Sequence, residues 1–149
     1  MKTLSPDPTT RNATNRDLLP VGILKKNDKA VHIEIYPKYT DGLLGLHQFS
    51  HILVFYWFHE NDTPEKRETL QVHPRGNRAN PLTGVFATRS PRRPNPIGIS
   101  ICKVLSVDGN MIHIDQIDAL NGSPVIDIKP YFPTMDSISE AATPDWIEG

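Results

Sequence analysis

Cys102 is the only cysteine in the chain. A disulfide within the chain and any multi-cysteine metal site are therefore excluded. Its neighbours Ile99, Ser100, Ile101, Lys103 and Val104 read as a strand. This marks Cys102 as a small structural residue rather than a nucleophile. There is no GxxxxGK[ST] loop and no GxGxxG following a strand, which argues against a P-loop enzyme and a Rossmann cofactor domain. No GxSxG elbow is present. The six histidines show no HExxH or other metal-ligand spacing. His47 and His51 stand four apart, but a strand begins between them, so they need not share a face and no metal site is expected. Nothing resembles a signal peptide. The longest apolar run, Ile52 to Phe58, is strand-sized, not membrane-spanning. These absences point to a soluble cytoplasmic protein with no membrane partner.

Acidic and basic residues are each missing where the other is concentrated. From Thr69 to Val107 there is no acid, while Arg75, Arg78, Arg89, Arg92, Arg93 and Lys103 supply six bases. From Val104 to Gly149 there are eight acids and Lys129 is the one base. Such segregation suits a basic face for an anionic partner; the alternative is that the two regions neutralise each other in the fold.

The chain is otherwise ordinary for one soluble domain: 149 residues, 38% hydrophobic and 22% charged. Its 14 prolines argue against long helices, because each removes a backbone donor and fixes φ. Residues 1–17 are polar and read as a flexible arm. Strand signals follow at Val21 to Leu24 and at Val31 to Tyr36, where apolar and polar residues alternate. Asn27 and Asp28 suit the turn between them. His51 to His59 is apolar nearly throughout, as a strand buried on both faces would be. Ile97 to Val107 and Met111 to Ile117 flank a hairpin turn at Asp108-Gly109-Asn110. Val125 to Lys129 alternates again, with Ile126 and Ile128 on one face and Asp127, Lys129 and Tyr131 on the other. Short helical turns are expected at Gly42 to Phe49, capped by Asp41, and at Pro64 to Leu70, capped by Thr63. The pattern predicts a mainly β single domain over residues 18–135, a small closed or partly open barrel with a few short helices, followed by an acidic tail over 136–149.

The segment Gly84 to Ser100, GVFATRSPRRPNPIGIS, carries the strongest functional signal. Its prolines stiffen the loop, so Arg89, Arg92 and Arg93 are held at low entropic cost. Guanidinium forks match carboxylates and phosphates and stack on bases, which makes the loop a candidate site for a nucleotide or an amino-acid carboxylate. A stiff connector whose arginines pair with the acidic tail is the bland alternative.

This segment closely resembles the signature of the TsaA-like, or tRNA methyltransferase O (TrmO), family. Gly45 to His51 (GLHQFSH), the strand ending Trp57-Phe58-His59, His73-Pro74-Arg75-Gly76 and Asp118 to Tyr131 (DALNGSPVIDIKPY) resemble family blocks in the same order. The resemblance implies a compact β-barrel, commonly a homodimer, that binds S-adenosylmethionine without a Rossmann fold. It implies an enzyme that methylates N6 of threonylcarbamoyl-adenosine beside the anticodon of tRNA. The family's cofactor contacts would fall on His59, Glu60, Arg89, Ile99, Ala119, Leu120, Asn121 and Gly122. Arg92, Arg93, Asn95, Lys129 and Tyr131 would meet the substrate, and Asp127 is the expected catalytic base. For Asp127, Lys129 and Tyr131 an exposed strand face with a salt bridge is the alternative. For Asn121-Gly122 the alternative is simply a good turn dipeptide.

The chain departs from the family at three places. Many relatives carry a Pro-Arg-Gln element after the first strand that contacts the cofactor. Here Leu24 passes through Lys25-Lys26-Asn27-Asp28-Lys29-Ala30 into the next strand. Glu60 stands where glutamine is usual, and Asn121 where aspartate is usual. A more open pocket leaves two further functions in view: a methyltransferase acting on a small molecule or another RNA, and a non-catalytic barrel that binds S-adenosylmethionine or a nucleotide.

Overall fold

A computed structural model describes residues 16–147. Most of the arm expected over 1–17, and the last two residues of the expected tail, lie outside the described residues. Among the described residues eight strands form in chain order: β1 (Gly22–Lys26), β2 (Val31–Ile35), β3 (His51–Trp57), β4 (Gln71–Val72), β5 (Thr83–Gly84), β6 (Ile97–Asp108), β7 (Met111–Ile114) and β8 (Pro124–Pro130). Six of them close into an antiparallel barrel in the order β1-β2-β7-β6-β3-β8, with β1 pairing to β8 at the seam. Closure removes the sheet edges that would otherwise expose unpaired backbone groups. β4 and β5 form a separate two-stranded hairpin. Two short helices, α1 (Pro64–Arg67) and α2 (Pro133–Asp136), complete the regular structure with several 3-10 turns.

The barrel interior follows from two-residue alternation. Val31, Ile33 and Ile35 of β2 point inward, as do Ile52, Val54 and Tyr56 of β3. Leu24, Ile33, Ile52, Val54, Cys102, Ile112 and Val125 are completely buried. Each large aliphatic among them contributes about 1.5–3 kcal/mol by leaving water. No buried side-chain nitrogen or oxygen among the described residues lacks a hydrogen bond.

Several elements differ from their sequence expectation. β3 is buried on one face only, with Leu53, Phe55 and Trp57 turned outward and half-buried. A closed barrel gives each strand one inner face, so the apolar outer residues are covered only in part. The turn expected at Gly42 to Phe49 splits into 3-10 turns at Pro37–Leu43 and Leu46–Gln48. Pro37 starts the first, so Asp41 lies inside it and is not a cap, and Gly45 in a left-handed conformation separates the two. α1 stops at Arg67, three residues early, although Thr63 caps it as expected, its Oγ1 accepting from Lys66 N at 3.4 Å. β7 ends at Ile114 because Asp115 leaves the ladder and its side chain accepts from Lys103 N at 2.9 Å. In β8 the register slips opposite Phe55 and Tyr56, so that Asp127 faces Phe55 while Val125 faces Tyr56. Ile126 is the extra residue, and Val125 and Ile128 pack into the core in place of Ile126 with Ile128. Among the described residues no helix is long and apolar enough to cross a membrane.

Candidate functional site

The loop from Thr88 to Pro96 is rigid for reasons beyond its prolines. Thr88 Oγ1 accepts from Ser90 N at 3.1 Å and donates to Val85 O at 2.8 Å. Arg93 turns back on the loop, its Nη1 donating to Thr88 O at 3.2 Å and Ser90 O at 3.0 Å. From outside, Arg67 of α1 donates through Nε to Pro94 O at 2.8 Å and through Nη2 to Asn95 Oδ1 at 3.4 Å. Arg67 is itself held by Asp62 at 3.1 Å and lies over the Trp57 ring, whose Nε1 donates to Asp62 at 3.0 Å. Arg93 and Asn95 are thus committed to shaping the loop. Nothing in the motif revealed Arg67 as its brace, because α1 precedes the loop by more than twenty residues.

Beside this loop lies a groove of about 1180 Å³. The β4–β5 hairpin contributes Arg75 and Arg78 to its wall, and the braced loop contributes Arg89 and Arg92. Among the described residues none of these four guanidinium groups makes a hydrogen bond or an ion pair. Among the described residues no ion pair joins these four arginines to the acidic tail. The tail does reach the groove, but through Trp146 and Ile147. Among the described residues Asp118 is the one carboxylate in the lining.

Asp118 also faces a smaller cavity of about 370 Å³ bounded by Ser100, Ile101, Gln116 and Ile117. Behind it sits Tyr56, 4% exposed. Burial raises the Tyr56 phenol above its usual range, a hydrogen bond with Ser100 opposes the shift, and the Asp118 charge adds to it. Gly98 makes this arrangement possible: a Cβ there would meet Tyr56 Cζ at 2.6 Å and Phe58 Cζ at 2.8 Å. Sequence reading missed Asp118, Tyr56 and Ser100 as a group. The available signal was that Asp118 opens the DALNGSP block.

The expected site residues separate into several neighbourhoods. Arg89 and Arg92 line the groove. His59 and Glu60 are exposed in the 3-10 turn that follows β3, next to Asn61, which lines it. Ala119 is buried in the core, and Leu120 is exposed. Asn121 is engaged: its Oδ1 accepts from Lys26 N at 2.8 Å, while Gly122, at φ +85°, donates to Leu24 O at 2.8 Å. Lys26 Nζ donates to Ile117 O at 2.7 Å and Ala119 O at 3.3 Å, clasping this turn to the end of β1. Ile99, Phe55 and Asp127 form one row across β6, β3 and β8, with Ile99 and Asp127 outside the groove lining. Asp127 is half exposed and paired with Lys129 at 3.1 Å. Tyr131 packs against His51 at the far end of β3 from Asn61.

The family profile described as tRNA-methyltransferase O N-terminal domain matches residues 13–137. The chain belongs to that family. Curated relatives include a probable S-adenosyl-L-methionine-binding protein of Methanocaldococcus jannaschii, 48% identical over 80% of this chain and 94% of that protein. A protein with the same description from Pyrococcus horikoshii is 54% identical over 75% of this chain and 79% of its own length. The human tRNA (adenine(37)-N6)-methyltransferase is 44% identical over 68% of this chain, which spans only 22% of the human protein. The crystal structure of TrmO from Pseudomonas aeruginosa superposes with a TM-score of 0.67 at 27% identity, covering 87% of this chain and 62% of that one. The TrmO family therefore accounts for both the signature loop and the closed barrel.

Proposed function

We propose that this protein is a methyltransferase that uses S-adenosylmethionine and acts on tRNA in the cytoplasm, at N6 of threonylcarbamoyl-adenosine beside the anticodon. The observation that carries the reading is the set of four guanidinium groups left without partners in one groove of a TrmO-family barrel. Arg75, Arg78 and Arg89 are exposed and Arg92 is half-buried, so their charges face the solvent of the groove and are available to an anionic ligand. The names of the relatives support both cofactor and substrate class.

The residues present fit the cofactor. Arg89 offers a free fork for an amino-acid carboxylate in the groove. The exposed turn of Leu120 and Asn121 follows Asp118 directly and can add backbone N–H groups of those two residues, Gly122 N being already spent on Leu24 O. His59, Glu60 and Ile99 would lie at the margins of that site. S-Adenosylmethionine supplies an electrophilic methyl group when bound. The protein's part is to hold the acceptor nitrogen in line with it, exclude water and receive the nitrogen's proton. Asp127 was the expected base, but its charge is shared with Lys129. Asp118 lines the groove, so we assign it the proton. Arg92 binds substrate there, while Arg93 and Asn95 act by holding the loop.

The outward row of Ile99, Ile101 and Leu105 on β6, beside Leu53 and Phe55, is the surface on which a second copy would form the homodimer. Sedimentation of Ile101→Asp against the unaltered chain tests this. A monomeric unaltered chain would reject it.

The test of function is methylation of unfractionated tRNA, read by mass spectrometry of the digested nucleosides. Asp118→Asn should abolish product and Asp127→Asn should spare it; the reverse result returns the base to Asp127. A specific observation favours a second reading. The β1–β2 connection spans only Asn27 to Ala30 and is closed on itself by Asn27, whose Oδ1 accepts from Lys29 N and Ala30 N at 2.9 and 3.0 Å, so it carries no added cofactor loop. Calorimetric binding of S-adenosylmethionine without product on tRNA would favour a different acceptor or a binding module.

A further inference from the structure

We propose that Phe86 and Trp146 are stacking platforms, and Arg75 and Arg78 phosphate ligands, for the unpaired RNA loop that the proposed function already requires. This deepens the proposed function and rests on its reading of an RNA substrate. Phe86 is 81% exposed and lines the groove. Its neighbour Val85 is buried and anchors the 3-10 turn Val85–Ala87, so the turn presents the ring to solvent beside four free cations. Trp146 reaches the same groove from the tail, on a turn closed by Ile147 N donating to Pro144 O at 3.1 Å. Every base has a face that can stack on an aromatic ring, but in a duplex those faces are occupied. Aromatics set among unpaired arginines therefore suit a loop with splayed bases, not a paired stem.

The hairpin supplies the second line of argument. Arg75 has φ +59°, a left-handed conformation that non-glycine residues rarely adopt. The loop holds it there through His73 Nδ1 and Asn80 O at 2.9 Å, Asn80 Nδ2 to Pro74 O at 3.0 Å, and Ala79 N to Asn77 Oδ1 at 2.9 Å. Strain maintained by surrounding bonds is a feature of ligand-binding segments. Arg75 and Arg78 belong to this braced loop and have no protein partner among the described residues.

The test uses the full chain and two labelled RNAs, a hairpin with an unpaired loop and a fully paired duplex of equal length. Fluorescence anisotropy across a salt series should show tighter binding to the hairpin. Phe86→Ala should weaken hairpin binding about tenfold and leave duplex binding unchanged. Phe86→Tyr should restore it. Arg75→Gly, which relieves the left-handed backbone, should weaken both RNAs and reduce the salt slope by about 0.7. Hairpin RNA should quench tryptophan fluorescence, and Trp146→Phe should remove the quench while Trp57 remains. Equal affinity for the two RNAs, or no effect of Phe86→Ala, would overturn the inference and leave the RNA reading standing. Absence of salt-dependent binding to either RNA would overturn both.

Discussion

The barrel and the arginine groove obey opposite rules. In the barrel every buried side-chain polar atom has a partner among the described residues, and the apolar residues alternate into one core. In the groove four guanidiniums have none, a phenylalanine faces solvent, and an arginine sits in a left-handed conformation. Stability is concentrated where contacts are complete. The groove's arginines are exposed, Arg92 alone being half-buried, so a ligand there would replace their water. Arg67, Arg93 and Asn95 sit at the border, spending their hydrogen bonds to keep the groove's loop in place.

Substitutions in each region sharpen the contrast. Ile33→Ala empties a fully buried position and should cost about 4 kcal/mol in urea unfolding. High pH should attack the same core. Burial pushes Cys102 up from 9.0 to about 12, with the Asp115 charge adding to it. Between those values the folded chain keeps a proton that the unfolded chain loses. The Cys102 contribution is therefore complete below pH 9.0 and declines as pH rises towards about 12. At pH of about 11 the loss should be about 3 kcal/mol, and Tyr56, shifted in the same direction, adds to it. Cys102→Ala should flatten the alkaline profile measured by unfolding at several pH values; an unchanged profile would place its origin elsewhere. Gly98→Ala should cost about 2 kcal/mol by driving a methyl group into the Tyr56 and Phe58 rings. The smallest effect belongs to the groove. Arg89→Ala breaks no side-chain hydrogen bond or ion pair among the described residues, so its melting temperature should move by little, while its S-adenosylmethionine affinity by calorimetry falls severalfold. A large loss of stability in that variant would mean that the groove is part of the scaffold after all.

Relatives in the TrmO family explain why the signature loop could be read at all from the chain. Local patterns carried most of the fold. Alternation in Val31–Ile35, the turn at Asp108-Gly109-Asn110 and the capped Pro64 helix each depend on residues within a few positions of one another. The exceptions have tertiary causes. β3 looked buried on both faces because its outer residues are also apolar, and alternation in β8 failed at a bulge that only its pairing with β3 imposes.

The site divided in the same way. The sequence alone determined that a stiff, arginine-rich loop exists and that its stretch of chain lacks acids, since proline geometry and charge are properties of the residues themselves. Tertiary structure decided which arginines are available. It turned Arg93 onto its own loop, brought Arg75 and Arg78 alongside Arg89 and Arg92 through a hairpin outside the barrel, and set Asp118 in the groove while leaving Asp127 with Lys129. A hydrogen-bond partner far along the chain leaves no local mark on composition or periodicity, so availability is settled only when the chain closes on itself.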